Sequence, residues 1–206
     1  PAPPAADAIS EAMQHCNLDD LLLDSGTLTV AFSDPAMTLD VGAAAKGYTA
    51  VQAGQAARER GLTHALLNMG GNVYTTGPKA DGSAWRVGVE KPWPGEDAPQ
   101  YVQTVELTGG DSLIVSGDYQ RYFTYEGKRY SHLIDLTTGC PAAYYSSVAV
   151  YSSPDEGLGD LFSTALFCLP PEQSRQVADD NGLAVLWLGT DGEVAAQTDN
   201  WPGKAV

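Results

Sequence analysis

The sequence predicts an α+β fold in which mostly antiparallel sheets pack against three or four helices. Short runs of alternating apolar and polar residues recur along the chain, and turn residues such as Gly, Asp and Ser separate them. Helical periodicity is confined to a few segments. The 206 residues contain no internal repeat and no internal linker, so we expect a single domain over residues 1–206.

Helices are predicted where apolar residues recur every three or four positions. "AADAISEAMQHC" places Ile9, Met13 and Cys16 on one helical face. "GYTAVQAGQAARERGL" predicts a helix that stops at Gly61, because glycine commonly follows the last helical turn. Two more helices are predicted in "GDLFSTALFCL" and "PEQSRQVADDNG".

Strands are predicted in the β-branched and aromatic runs between turn residues. "LLLDSGTLTVAF" contains two such runs around a Ser-Gly turn, and "HALLNMGGNVYTTG" contains two around a Gly-Gly break. "RYFTYEGKRYSHLID" predicts a hairpin that turns at Glu126-Gly127. The other predicted strands lie in "AWRVGVEKPW", "YVQTVELTGGDSLIVSG", "SSVAVYSS" and a closing hairpin, "LAVLWLGTDGEVAAQT".

The charge balance excludes some classes of partner. The chain has 11 Lys and Arg against 26 Asp and Glu, a formal net charge of −15. This argues against nucleic acid as the main partner, since phosphate backbones require a cationic surface. A phosphate-bearing ligand would need a metal ion or backbone amides to offset the repulsion. No apolar run is long enough to predict a membrane span, and three scattered cysteines predict neither a disulfide framework nor a zinc site.

The segment "LDVGAAAKG", residues 39–47, has the composition of an anion-binding turn. We predict that Asp40 ends a strand and that Lys46 and Gly47 stand at the entry to a helix. Small residues let a ligand approach the backbone, helix-entry amides favour anions, and Lys46 adds a charge suited to phosphate. The alternative is an ordinary strand-to-helix turn with Asp40 as a cap and Lys46 in solvent.

The paired glycines of "NMGGNVYTTG" permit positive φ angles or the close approach of a flat group. No helix follows them, so they do not form a dinucleotide-binding fingerprint. A bend between two strands is the simpler interpretation.

The helix predicted in "GDLFSTALF" carries Asp160 and Thr164 one turn apart, on the same face. A carboxylate and a hydroxyl supply the hard oxygen ligands that suit Mg²⁺. In the alternative interpretation Asp160 caps the helix and Thr164 bonds back to a carbonyl. The apolar residues predicted for the buried side are Leu161, Phe162, Ala165 and Leu166.

His132 has the best-defined surroundings of the three histidines. Asp118, Arg121 and Asp135 lie close to it in sequence, where their charges would tune its pKa. A lone histidine is more often structural than catalytic, and tyrosines such as those around it more often pack on a sheet than stack on a ligand.

Together and in this order, four segments resemble the ApbE family of FAD:protein FMN transferases. They are Asp40-x-Gly-x-x-x-Lys-Gly47, "LLNMGGNVYTTG", "SGDYQRYF" with "GKRYSHLIDLTTGCPA", and "SSVAVYSSP" with "GDLFSTALF". The resemblance extends from about Pro4 to the C-terminus, and it implies the family's T-fold-like architecture.

The resemblance implies an enzyme that cleaves FAD with Mg²⁺ and transfers FMN, through a phosphoester bond, to a Thr or Ser hydroxyl of an acceptor protein. AMP leaves, and typical acceptors are flavin-carrying subunits of envelope redox complexes. By position, Asp160 and Thr164 would be Mg²⁺ ligands. An oxygen of Ser163 and the backbone carbonyl of Ala43 would complete the protein's share.

The resemblance also assigns residues to the substrate. Asp40, Lys46 and the neighbourhood of Ile134 would contact FAD. His132 matches the family's His-x-Ile-Asp motif, and we predict that it takes the proton of the acceptor hydroxyl.

Two other functions remain open on this scaffold: an FAD pyrophosphatase that releases FMN and AMP, and a non-catalytic flavin-binding or interaction module. Family members are usually longer at the N-terminus, so we expect this chain to be a fragment or an incomplete member without that part. The family usually works outside the cytoplasm, often anchored by lipid, which predicts an extracytoplasmic location in the cell envelope.

Overall fold

The computed structural model describes residues 2–95 and 98–206, which form four α-helices and fifteen β-strands. The helices are α1 (Ala6–Met13), α2 (Gly42–Glu59), α3 (Gly159–Cys168) and α4 (Pro171–Asp180). The first nine strands are β1 (Leu21–Asp24), β2 (Thr29–Phe32), β3 (Leu66–Met69), β4 (Asn72–Thr75), β5 (Trp85–Glu90), β6 (Tyr101–Leu107), β7 (Ser112–Gly117), β8 (Tyr122–Tyr125) and β9 (Lys128–Ser131). The others are β10 (Ile134–Asp135), β11 (Cys140–Pro141), β12 (Ser147–Ser152), β13 (Ala184–Leu188), β14 (Val194–Gln197) and β15 (Lys204–Ala205).

A six-stranded antiparallel sheet forms the centre of the fold, in the order β14-β13-β12-β7-β4-β3. A second antiparallel sheet has the order β15-β6-β5. Three two-stranded pairs, β1-β2, β8-β9 and β10-β11, are also antiparallel. The predicted α+β fold of mostly antiparallel sheets is therefore confirmed.

The central sheet separates two apolar layers, because successive residues of a strand point to opposite faces. One face packs on the three-stranded sheet, through residues that include Val73, Leu113, Val89 and Val105. The other face carries α2, α3 and α4, and its core includes Val148, Val150, Leu166 and Phe167. On β7, Leu113 belongs to the first layer, whereas Ile114 and Ser116 lie beneath α3.

The predicted helices and hairpins are present, with shifted boundaries. The hairpin β8-β9 turns at Glu126 and Gly127, whose φ angles of 50° and 76° fit a two-residue hairpin turn. Helix α2 begins at Gly42, five residues earlier than predicted. The strand predicted to end at Asp40 is wrong: residues 37–41 are irregular, and an Asp40 oxygen accepts a 2.7 Å hydrogen bond from the Gly42 amide at the start of the helix.

Among the residues that the structure describes, no helix combines the length and the apolar character needed to cross a lipid bilayer.

Candidate functional site

The N-terminal ends of α2 and α3 meet at Gly47 and Asp160. The Gly47 amide donates a 2.8 Å hydrogen bond to Asp160 Oδ2. A Cβ at position 47 would lie 2.6 Å from the Cβ of Asp160, so this approach requires glycine. In a regular helix the Gly47 amide donates to the carbonyl of Ala43, and the Asp160 carboxylate competes for that proton. The first turns of α2 are thus in direct contact with the Asp160 carboxylate of α3, although the two bonded residues are 113 positions apart in the sequence.

Asp160 is buried without a cationic partner. Its relative exposure is 3%, and none of the ion pairs within residues 2–95 and 98–206 includes it. A buried carboxylate is costly unless hydrogen bonds or opposite charges compensate it. The Gly47 amide and the N-terminal end of α3 supply part of that compensation. This site would therefore gain stability from a bound cation.

The buried face of α3 is more polar than predicted. Asp160 and Ser163 have relative exposures of 3% and 0%, whereas Leu161 is 46% exposed. The prediction that Leu161 and Ala165 are buried is wrong, because both are exposed. Phe162 is half-buried, and Leu166 is buried as predicted. The reason is that positions 160, 163 and 164 share one helical face, and this face is turned toward α2 and β7.

Three hydroxyl groups meet where α3 lies on β7. Ser116 Oγ is 2.8 Å from Ser163 Oγ and 3.1 Å from Thr164 Oγ1. Ser163 Oγ donates to the backbone carbonyl of Asp160 at 2.9 Å. The alternative roles for this helix are therefore not seen: the Asp160 side chain bonds to α2 instead of capping α3, and the bond back to a carbonyl comes from Ser163 instead of Thr164.

Asp40 and Lys46 lie at the start of α2, beside Gly47. Asp40 fixes the first helical amide, as the ordinary-turn interpretation expects. Lys46 is exposed, and the ion pairs in the described part of the chain do not include it. Its ammonium group is thus available to a bound anion. Contact of either residue with FAD stays a prediction.

His132 follows β9, and its Nδ1 lies 3.1 Å from the carbonyl oxygen of Arg121. A carbonyl only accepts, so Nδ1 carries the proton and Nε2 of the neutral ring keeps its lone pair. Partial burial lowers the pKa of His132 below its usual value of 6.5, and the positive charges of Arg121 and Lys46 act in the same direction. Ile134, two residues after His132, is 41% exposed.

The donor atoms at the junction of α2 and α3 fit a magnesium ion better than a zinc ion. In the described residues, no three His, Cys, Asp or Glu side chains form a metal-binding group. The available donors are the Asp160 carboxylate, the Thr164 hydroxyl and the Ala43 carbonyl, which are hard oxygens. Mg²⁺ is commonly held by one or two carboxylates together with substrate phosphates, so one buried carboxylate is sufficient.

A cavity of about 670 Å³ lies elsewhere, on the opposite face of the central sheet. Residues of both sheets line it, including Asn68 and Arg86, together with Tyr119, which follows β7. None of the predicted site residues lines this cavity.

Comparison with known proteins identifies the family. The model of the ApbE family matches residues 1–187. The chain belongs to the ApbE family. A relative, the FAD:protein FMN transferase of Klebsiella pneumoniae (strain 342), is 35% identical to this ApbE-family chain over 187 residues, which are 89% of this chain and 56% of that protein. The chain therefore spans little more than half the length of this curated relative.

Two solved structures share the ApbE fold. The crystal structure of the ApbE protein from Thermotoga maritima MSB8 matches with a TM-score of 0.86 and 29% sequence identity, over 97% of this chain and 63% of that one. The apo form of the flavinyl transferase ApbE from Pseudomonas stutzeri matches with a TM-score of 0.79 and 30% identity, over 100% of this chain and 63% of that one. These matches confirm the ApbE-like architecture.

Two polar residues of the helical face in this ApbE-family chain were missed by the sequence analysis. One is Ser116. The other is Asn72, which is 1% exposed and whose two side-chain polar atoms have no hydrogen-bond partner in the part of the chain that the structure describes. It shares a strand face with Tyr74, which packs on Gly54 of α2. The sequence offered one signal, a polar residue at an inward-facing strand position. It did not show which face of each strand α2 and α3 cover.

Proposed function

We propose that this chain is the catalytic part of a Mg²⁺-dependent FAD:protein FMN transferase. The reaction attaches FMN through a phosphoester bond to a Thr or Ser hydroxyl of an acceptor flavoprotein and releases AMP. The observation that carries the proposal is the buried Asp160 carboxylate, without a cationic partner in the described residues, at the junction of α2 and α3. Membership of the ApbE family and the name of the Klebsiella relative support it.

Asp160 and Thr164 would hold the Mg²⁺ ion, together with the Ala43 carbonyl and an oxygen of Ser163. When bound, the ion supplies positive charge to the pyrophosphate of FAD and to the charge that develops during transfer. Ser163 is the least available of the four, since its hydroxyl already bonds to the Asp160 carbonyl and to Ser116. A chain with a net charge of −15 repels the negatively charged pyrophosphate, so a positive charge at the site is needed to offset that repulsion.

The remaining contacts with FAD would come from the residues around this junction. Lys46 would place its ammonium group against a phosphate, as a compact charge on a flexible side chain does. Asp40 would contact FAD at the start of α2. Ile134 offers an exposed apolar surface to the flat part of the substrate.

His132 would act as the base. The acceptor hydroxyl oxygen attacks the FMN phosphorus, and the bond from that phosphorus to the bridging oxygen of the pyrophosphate breaks. AMP leaves with the bridging oxygen, and the hydroxyl proton passes to Nε2 of His132, which its lowered pKa keeps neutral near pH 7. If water replaces the acceptor hydroxyl, the same site releases FMN and AMP.

The acceptor would be a flavin-carrying subunit of an envelope redox complex, and the protein would work outside the cytoplasm. These two proposals come from the family resemblance. Exposure of the His132 side chain is compatible with a protein segment as the second substrate.

The test uses the 206-residue chain with FAD, MgCl₂ and the acceptor protein of the Klebsiella relative. We expect yellow fluorescence on the acceptor after a denaturing gel, and AMP in the supernatant. Asp160→Asn should abolish both. Asp199→Asn, which changes an exposed carboxylate on the surface, is the matched control and should leave both unchanged.

The other outcomes separate the alternatives. FMN and AMP without labelled acceptor, in the wild type but not in Asp160→Asn, would replace the transferase by a pyrophosphatase. FAD binding that neither Mg²⁺ nor Asp160→Asn alters, without any turnover, would support a non-catalytic module and overturn the proposal.

A further inference from the structure

The three hydroxyl groups between β7 and α3 have only one consistent arrangement of protons. Ser163 Oγ bonds to the carbonyl of Asp160, which only accepts, so the single proton of Ser163 lies in that bond. Ser116 must therefore donate to Ser163 in the 2.8 Å contact. Because Ser116 has then used its own proton, Thr164 must donate to Ser116 in the 3.1 Å contact.

This order fixes the direction of the Thr164 hydroxyl. Its proton points at β7, so the lone pairs of Oγ1 are left for another partner. A hydroxyl binds a cation through its lone pairs, and a proton turned toward the cation would repel it. Thr164 stands one turn after Asp160 and is only partly buried, so its oxygen remains accessible beside the carboxylate.

We propose that Ser116 is a positioning residue of the cation site: it accepts the proton of Thr164 and so presents the Thr164 oxygen to a divalent cation. The inference deepens the proposed function and depends on it. Ser116 does not touch the cation or FAD in this scheme. It acts through Thr164, in the way that outer-shell partners orient the ligands of a metal ion.

Ser112 shows that a hydroxyl on this strand face need not have such a role. It lies on the same face of β7, four residues before Ser116, and it is 1% exposed. Within residues 2–95 and 98–206, its Oγ has no hydrogen-bond partner. Loss of the Ser112 hydroxyl changes the volume and polarity beneath the helices but breaks no bond. Ser112→Ala is therefore the matched control for Ser116→Ala.

The experiment measures Mn²⁺ affinity, with Mn²⁺ as the probe for the Mg²⁺ site. Free Mn²⁺ is followed by its EPR signal during titration of the 206-residue chain, with and without FAD. We expect Ser116→Ala to weaken Mn²⁺ binding about 10-fold, the lower end of the effect of outer-shell changes. Ser112→Ala should match the wild type. In turnover assays Ser116→Ala should need more Mg²⁺ yet reach the wild-type rate at saturation.

A second pair of variants separates the hydroxyl from packing. Thr and Val have nearly the same shape, so Ser116→Thr should keep Mn²⁺ affinity and Ser116→Val should lose it. In a Thr164→Val background, Ser116→Ala should have no further effect, because the group that it orients is gone. Thermal melts confirm that each variant is folded, and the Thr/Val pair decides the matter if Ser116→Ala does not fold.

Three results would overturn the inference. Equal Mn²⁺ affinity of Ser116→Ala and the wild type would show that Thr164 needs no acceptor. Additive losses in the double variant would show that Ser116 acts by packing. If the wild type binds no Mn²⁺ with or without FAD, the proposed function itself is wrong, and the inference falls with it.

Discussion

Gly47→Ala tests whether the contact between α2 and α3 positions the site. The new Cβ would lie 2.6 Å from the Cβ of Asp160 and 3.4 Å from its backbone nitrogen and Cγ. Ordinary contacts begin at 3.4 Å, so the two residues must separate by almost 1 Å. The Cβ of Asp160 is attached directly to the backbone of α3, and a side-chain rotation cannot relieve the clash.

The two effects on stability oppose each other and leave a small net loss, whereas nothing offsets the effect on catalysis. Overpacking costs about 1–3 kcal/mol, and Ala in place of Gly within a helix returns up to about 1 kcal/mol. A net loss of about 1 kcal/mol lowers the Tm by about 2–4 °C in a chain of this size. A displacement of about 1 Å at a catalytic group reduces turnover about 100-fold. We therefore expect a folded protein with little activity.

Gly54→Ala is the control, because it overpacks the same helix at a different place. Its Cβ would lie 2.2 Å from the ring of Tyr74, about two helical turns along α2 from Gly47. We expect a comparable or larger loss of Tm, by calorimetry, with AMP release from FAD kept at a temperature where the variant is folded. If both variants lose turnover equally, or if Gly47→Ala keeps it, the contact with Asp160 does not position the site.

Two further predictions concern the pH dependence expected from His132 and the buried hydrogen bonds of Ser174. Because the pKa of His132 lies below 6.5, turnover that needs neutral His132 should be constant near pH 7 and fall as the pH drops through that lowered value. If turnover already falls at a pH above 6.5, or if the same fall at low pH persists in His132→Gln, His132 is not the base. Ser174 Oγ accepts from the indole nitrogen of Trp187 at 2.9 Å and donates to the Leu166 carbonyl at 2.8 Å, both buried. Ser174→Ala leaves the indole N–H unpaired, so we expect a loss of about 2 kcal/mol and a Tm about 6 °C lower; a Tm within about 1 °C of the wild type would refute it.

Local signals in the sequence were sufficient for the helices and hairpins and for placing Asp160 and Thr164 on one face of α3. The turn at Glu126-Gly127 was predictable because a two-residue hairpin turn needs positive φ angles, which both residues adopt. Asp160 and Thr164 were predictable as neighbours because helical geometry fixes residues four apart. Such relations depend only on positions close together in the chain.

The missed features depend on contacts distant in sequence. No local pattern indicates that the Gly47 amide bonds to Asp160, or that Ser116 on β7 lies beneath Thr164. The strand predicted before Asp40 is wrong for a related reason: a strand needs a partner strand, and residues 37–41 pair with none among the described residues. Asp40 instead takes the first helical amide, a role that its short acceptor side chain fills equally well.

The burial pattern of α3 argues for a site independently of any relative. Leu161 is 46% exposed while its neighbour Asp160 is 3% exposed. A helix rotated to bury the leucine would gain up to about 2 kcal/mol of apolar burial and would return the carboxylate to water, where it needs no partner. The observed orientation gives up both gains. Among the described residues, the groups that contact this face of α3 through hydrogen bonds are the Gly47 amide and the Ser116 hydroxyl, and neither is a cation. Where a sequence breaks a packing rule without local compensation, the reason is commonly functional, and the proposed cation between α2 and α3 would supply the missing charge partner of Asp160.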